Sequence, residues 1–227
     1  MKDIEGSDQL GHVWFMLKLK HLGGTILDFG SGSEAGYGRI LARYGFNVIC
    51  IDIASPRMPE QLTNLKYIQG DITDLFSEEE FSNSEFTGFT GIWPETSVMP
   101  DFITNLSSIE HAGLVGRYGS KDDPDQDLKI MKLMRHLIRP DPSYGFHLLH
   151  IPVGIDDTIG HYHRIYGEKR LPKLLEGWEV EDEAYWRKND DNIYVQTDKE
   201  TCLKEKATYS ISHYYAVGCF KLRIANG

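Results

Sequence analysis

Three aspartates are spaced around a pair of glycines: Asp28 precedes Gly30-Ser31-Gly32, Asp52 follows twenty residues after Gly32, and Asp71 closes the pair Gly70-Asp71. Carboxylates so placed suit a ligand that carries a nucleoside. Asp52 can accept both hydroxyls of a ribose, Asp71 can accept an adenine amino group, and the glycines let the backbone approach without a Cβ in the ligand's path. Asp28 narrows the charge of that ligand. Two residues before the first glycine, it would repel the pyrophosphate of a dinucleotide and attract an ammonium or sulfonium group. The run "GSGSEA" also satisfies the looser fingerprint G-x-G-x-x-A, so a nicotinamide or flavin enzyme stays open on the spacing alone.

A second set of residues could act on whatever the first set holds. His111 follows Ser107, Ser108 and Glu110 directly, and its unperturbed pKa near neutrality suits a general base. Further on, "GIDDTIGHYHRIYG" offers His161-x-His163 near Asp156, Asp157 and His150, but without a partner at fixed spacing, and no metal is expected there. His163, Arg164, Lys169, Arg170 and Lys173 make a basic segment that could receive a phosphate or carboxylate, Arg164 by bidentate contact. Lys169, Arg170 and Lys173 read better as the solvated face of a helix that turns Leu171, Leu174 and Leu175 inward. Arg164 and Tyr166, ahead of that helix, are the stronger candidates. In "AGLVGRYGSKDDP", Arg117 and Tyr118 could shape an acceptor pocket, and the glycines either let the loop close as a lid or simply permit a long turn.

The elements that must position these groups alternate. "TILDFG", "NVICIDI" and "LKYIQGDI" read as buried strands, each ending at one of the aspartates or the glycine turn; "DFITNLSS" and "YGFHLLHIPVG" read as a fourth and fifth. Between them, "EAGYGRILARYG" places Ile40, Leu41 and Tyr44 on one helical face and stops at Gly45, and "DPDQDLKIMKLMRHLIRP" carries a longer apolar stripe. Strand and helix at this spacing give right-handed βαβ units and a parallel sheet, so the fold class is α/β, doubly wound. The runs "WEVEDEAYWR" and "YSISHYYAVGCFKLRI" have no long helix between them and should pair antiparallel at the sheet edge. Residues 1–22 are expected to form a helix leading into the first strand, with Leu10, Val13, Trp14 and Leu17 inward. Residues 76–99 mix acidic, small and aromatic residues without a period and support no assignment, including any for Trp93.

Composition limits the function. The 227 residues, with no linker dividing them, read as one domain spanning 1–227. With 34 acidic against 24 basic side chains, the net charge of −10 would repel nucleic-acid phosphates and anionic lipid surfaces. Three widely spaced cysteines, Cys50, Cys202 and Cys219, fit neither a disulfide framework nor a zinc knuckle and suggest a reducing, cytoplasmic setting. The N-terminal "HVWFMLKL" is too short for a membrane span.

Asp28-Phe29-Gly30-Ser31-Gly32, Asp52 after an apolar strand, and Gly70-Asp71-Ile72 together resemble the class I S-adenosylmethionine-dependent methyltransferases over nearly the whole chain. Within that superfamily, "NLSSIEHAGLVGRYG", "DPDQDLKIMKLM", "IPVG", "HRIYG" and "LLEGW" resemble a methyltransferase-like group catalogued only as a domain of unknown function. The resemblance implies a seven-stranded, mostly parallel sheet with helices on both faces and an antiparallel C-terminal pair. It implies S-adenosylmethionine as cofactor, with the methionine part against Gly30, Ser31 and Gly32, its amino group near Asp28, the ribose at Asp52 and Ile53, the adenine at Asp71 and Ile72, and Ser107 bordering the site. Glu34 stands where many members have a third glycine. The reading that follows is methyl transfer to a small molecule, at an oxygen of a sugar or of a phosphorylated or carboxylated metabolite. His111, His163 and Arg164 would carry the catalysis, and Glu110, Arg117, Tyr118 and Tyr166 would bind the acceptor. An NAD(P)-dependent oxidoreductase and a non-catalytic cofactor- or partner-binding member are the alternatives.

Overall fold

The computed structural model describes residues 7–58, 61–76, 89–93, 96–114, 122–141, 144–160, 162–208 and 216–225, with no side-chain description for 7, 89–93 and 96–98. In chain order the elements are α1 (Ser7–Leu19), β1 (Thr25–Phe29), α2 (Gly36–Arg43), β2 (Asn47–Asp52), β3 (Leu65–Gln69), α3 (Ile72–Leu75), β4 (Phe89–Trp93), β5 (Thr96–Val98) and β6 (Phe102–Leu106). After a 3-10 turn at Ile109–His111 come α4 (Gln126–Leu137), β7 (Phe146–Val153), β8 (Asp157–Ile159), β9 (His163–Ile165), α5 (Leu171–Leu174), β10 (Trp178–Lys188), β11 (Tyr194–Thr197), α6 (Lys199–Leu203) and β12 (Ala216–Ile224). Eight strands form one sheet in the order β11-β10-β12-β7-β6-β1-β2-β3.

The five adjacent strands β7, β6, β1, β2 and β3 run parallel, and β12, β10 and β11 close the other edge antiparallel. The doubly wound α/β architecture is therefore present, with one strand more than the seven expected. The extra strand, β11, arises because Asn189 closes a tight turn: its backbone N–H donates to Ile193 O, and its side-chain oxygen accepts from the Asp191 and Ile193 amides. Tyr194 to Thr197 then fold back on β10 in register with Tyr185 to Lys188. The aperiodic region 76–99 contributes the hairpin β4–β5 outside the main sheet.

Strand periodicity divides the core in two. Ile26, Val48, Cys50, Phe102, Leu148 and Cys219 face α1 and α2, whereas Leu27, Ile49, Ile51, Ile103, Leu149 and Ile151 face α4 and α5. On α1 the buried stripe is Gly11, Trp14, Phe15 and Leu19, while Val13 and Leu17 are exposed. The helical period is legible in the sequence but its phase is not: Gly11 lets the helix lie close on Leu106 and His150, which rotates Val13 and Leu17 outward. Each buried large side chain there contributes roughly 1.5–3 kcal/mol to docking α1. Similarly, α2 buries Tyr37, Gly38, Leu41 and Ala42, and Tyr44 lies outside.

The chain order reverses between β1 and β6. In open α/β sheets a ligand binds in the crevice beyond the carboxyl ends of strands at such a switch point.

Candidate functional site

A cleft of about 880 Å³ opens there, lined by the turns that follow β1, β2, β3 and β6 and by Asp8 and His12 of α1. The first turn is built by two glycines in the left-handed region, with φ of 72° at Gly30 and 67° at Gly32. They differ in what surrounds them. A Cβ on Gly30 would collide with Ser108, whose hydroxyl donates to Gly30 O at 2.9 Å, so this glycine joins the turn to the end of β6. A Cβ on Gly32 would meet nothing within 4 Å and would project into open space.

Asp52 fastens that turn to the next one. Its Oδ2 accepts from the Gly32 amide and its Oδ1 from the Ala54 amide, both at 2.8 Å, and each carboxylate oxygen keeps a further lone pair for a hydroxyl donor. Tyr67, on β3, places its hydroxyl within reach of the carbonyls of Gly32 at 3.2 Å and Ala54 at 3.0 Å. Sequence reasoning misses this brace, because a tyrosine in a strand reads simply as a strand residue.

Asp28 lies on the floor of the cleft, 2% exposed. Its Oδ1 accepts from Thr104 Oγ1 at 2.8 Å across the β1–β6 pair, and its Oδ2 has no hydrogen-bond partner among the described residues. Burial pushes its pKa up to about 7; the Thr104 bond opposes that rise, the nearby Asp52 charge adds to it, and the Gly38 amide offers weak compensation. Among the described residues, with Asp8, Asp52 and Asp71 the cleft presents four carboxylates against one guanidinium, Arg57, which favours a cationic ligand.

At the opposite side, Asp71 lines the cleft but its carboxylate is engaged. Oδ1 caps α3 by accepting from the Thr73 amide and hydroxyl, at 2.9 and 2.8 Å, and Oδ2 accepts from Gln126 Nε2 at 2.8 Å. Those bonds fix the Gln126 amide so that its Oε1, buried and without a hydrogen-bond partner among the described residues, is the acceptor in excess. Ile72 and Ile130 line the same end. Nothing in the sequence marks Gln126, which reads as one polar residue at a helix start. Ser31 and Ile53 also line the cleft.

Beyond β6, Ser107 adopts a left-handed backbone with φ of 49°, and its hydroxyl lies 2.8 Å from Nδ1 of the buried His150. His111 forms part of the cleft wall, and its Nδ1 is bonded to the carbonyl of Tyr162. A carbonyl only accepts, so Nδ1 carries the proton and Nε2 is the basic nitrogen of the neutral ring. That nitrogen lies 3.8 Å from Glu110 Oε1, and the His163 ring stands edge-on to His111 with centroids 5.0 Å apart.

Several residues expected to be catalytic or to bind the acceptor take other positions. Glu110 is fully buried beneath His111, and neither it nor His163 lines the cleft. Arg164 is 3% exposed: it donates to the carbonyls of Ala112 and Pro124, with Nε 3.8 Å from Asp127. Tyr166 is buried and donates to Asp127 Oδ2 at 3.0 Å, and Arg170 grips both oxygens of the same carboxylate at 2.5 and 3.0 Å. Arg164 and Tyr166 thus belong to a buried knot that ties β9 and α5 to the start of α4, and Arg170 is an internal ion-pair partner where a solvated residue was expected. A one-dimensional charge run does not reveal Asp127 as the shared acceptor. Arg117 and Tyr118 lie outside the described residues.

The sheet order and the placement of the cleft define the fold of the class I S-adenosylmethionine-dependent methyltransferases. Burkholderia thailandensis 1,6-didemethyltoxoflavin-N1-methyltransferase, solved with 1,6-didemethyltoxoflavin and S-adenosylhomocysteine bound, is 12% identical and matches 98% of this chain and 80% of its own, with a TM-score of 0.59. An S-adenosylmethionine-dependent methyltransferase from Archaeoglobus fulgidus is 13% identical over 96% and 95%, with a TM-score of 0.51. The glycopeptide N-methyltransferase MtfA, complexed with S-adenosylmethionine, is 10% identical over 98% and 96%, also at 0.51. By sequence, the family model of Caenorhabditis proteins of unknown function, DUF268, matches residues 54–217, and the chain belongs to that family. No curated protein matches the chain. No described helix is long and apolar enough to cross a membrane.

Proposed function

We propose that the protein is an S-adenosylmethionine-dependent methyltransferase that acts on a hydroxyl of a small molecule. The observation that carries this reading is Asp28: a buried carboxylate on the floor of the cleft, one oxygen unpartnered, beside a glycine turn open to ligand. Asp28 would hold the ammonium of the cofactor's methionine part, Asp52 would take the ribose hydroxyls on its remaining lone pairs, and Gln126 Oε1 with Ile72 would meet the adenine. Bound there, the cofactor supplies a sulfonium methyl for in-line displacement.

The protein's own part is alignment and proton removal. His111 accepts the acceptor's proton at Nε2, because its Nδ1–H is committed to Tyr162 O, and Glu110 beneath it stabilises the imidazolium that forms. Ser107 borders the same space. The two arginines of the segment that pointed to a phosphorylated or carboxylated acceptor, Arg164 and Arg170, are engaged by Asp127, Ala112 and Pro124, and a neutral hydroxyl compound, such as a sugar, is the better-supported acceptor class.

Calorimetric titration with S-adenosylhomocysteine and with NADH tests the reading. The expected outcome is one saturable S-adenosylhomocysteine site, weakened at least tenfold in Asp52→Ala, and no NADH binding. Binding of NADH alone would assign the turn to a dinucleotide and overturn the proposal.

A further inference from the structure

The turn after β6 and the hairpin β8–β9 bring together three side chains of metal-ligand type from separate parts of the chain. Glu110 and His111 are consecutive, His163 opens β9, and one donor atom from each lies within 4.8 Å of the other two. Metal–nitrogen and metal–oxygen bonds of about 2.1 Å put the donors of a tetrahedral site about 3.4 Å apart, so side-chain adjustments on the order of 1 Å close the set. Two imidazoles and one carboxylate suit zinc, cobalt or nickel better than magnesium or calcium.

The arrangement around these ligands supports a cation. Nδ1 of His111 is held by a backbone carbonyl, the outer contact that fixes a metal-binding imidazole with Nε2 forward. That nitrogen faces the buried Glu110 carboxylate across 3.8 Å. His111 alone of the three lines the cleft, which leaves an open coordination position on the cleft side. Sequence spacing argues against a metal because His161-x-His163 lacks a further partner; the partners come from another element.

We infer that Glu110, His111 and His163 form a binding site for one divalent transition-metal ion of the zinc class, and that its occupancy takes from His111 the nitrogen that would accept the acceptor's proton. The first half stands independently of methyl transfer; the second rests on that reading and makes the metal an inhibitor.

Cobalt(II) is the probe, titrated into the metal-stripped 227-residue chain and followed by its visible ligand-field absorption. One cobalt per chain is expected, displaced by zinc, with affinity at least tenfold lower in His111→Gln and in His163→Gln and unchanged in the exposed His21→Gln; circular dichroism verifies that each variant is folded. Absence of a saturable band in wild type, or a band that survives in the His111→Gln/His163→Gln double variant, overturns the site. Titrating wild type with S-adenosylhomocysteine separates the two proposals, since cofactor contacts lie elsewhere: no cobalt binding by wild type with cofactor binding intact refutes only the metal site, and cobalt binding without cofactor binding refutes the cofactor reading and, with it, the inhibitory role of the metal.

Discussion

Asp28, on the proposed function, would serve binding at the expense of stability. Its folded pKa of about 7 lies above the usual carboxylate range, so the folded state holds a proton that the unfolded chain releases, and stability is lost as pH rises from about 4 through 7. A rise from about 4 to about 7 corresponds to about 4 kcal/mol at most. Asp28→Asn keeps an acceptor for Thr104 and removes the buried charge, so it should raise the unfolding free energy at pH 8 by about 2 kcal/mol, read by urea denaturation. The same variant should bind S-adenosylhomocysteine at least tenfold more weakly. Gain of stability with loss of binding is the signature of a charge retained for a ligand.

The glycine turn and the Asp127 knot make predictions at the scale of elements. Gly30→Ala must push against Ser108 and strain a left-handed backbone, whereas Gly32→Ala carries the backbone strain alone, about 1–2 kcal/mol. Thermal unfolding should rank Gly30→Ala as the less stable, while Gly32→Ala should lose cofactor affinity through the cleft side. Asp127→Ala leaves Arg164 buried without its carboxylate and should cost about 3–5 kcal/mol in chemical denaturation. These elements also show what a linear sequence carries. The parallel strands, the aspartates at their ends and the glycine turn are legible because strand burial and tight-turn chemistry are local. The phase of α1 is not, since one close approach at Gly11 sets it, and the fates of Arg164, Tyr166 and Arg170 are not, since all three depend on Asp127, brought from α4 by tertiary packing. Gln126 likewise acquires meaning only through the Asp71 bond that orients its amide.

Across the whole molecule, pH stability is set by opposing buried groups. Burial holds His147 down to about 3 and His150 down to about 4, the latter with Asp8 opposing and His12 adding to the shift. Both are neutral in the fold, so their stability is present above about pH 6.5 and is lost as pH falls toward those values. Asp28 works in the opposite sense over the same window. Two histidines against one carboxyl leave a net contribution of about 1.4 kcal/mol per pH unit between pH 6 and 4.5, with acid destabilising, and His12, which burial also holds below the usual imidazole range, adds to it in the same sense. Replacing His147, which packs against Trp178 with ring centroids 5.4 Å apart, should cancel one histidine. Denaturation of His147→Phe across that range should therefore show a slope smaller than that of wild type by about 1.4 kcal/mol per pH unit; an unchanged slope would place the acid sensitivity elsewhere.

If Asp28 is held protonated in the empty cleft until a cationic ligand arrives, binding must release that proton. S-adenosylhomocysteine is titrated calorimetrically at pH 6.5 in buffers of different ionisation enthalpy. With its pKa near 7, Asp28 is mostly protonated before binding and ionised against the ligand ammonium afterwards, so release of roughly 0.8 proton per site is predicted for wild type and none for Asp28→Asn. Binding without proton release, or with equal release in both proteins, would mean that Asp28 is not the group that meets the ligand's charge.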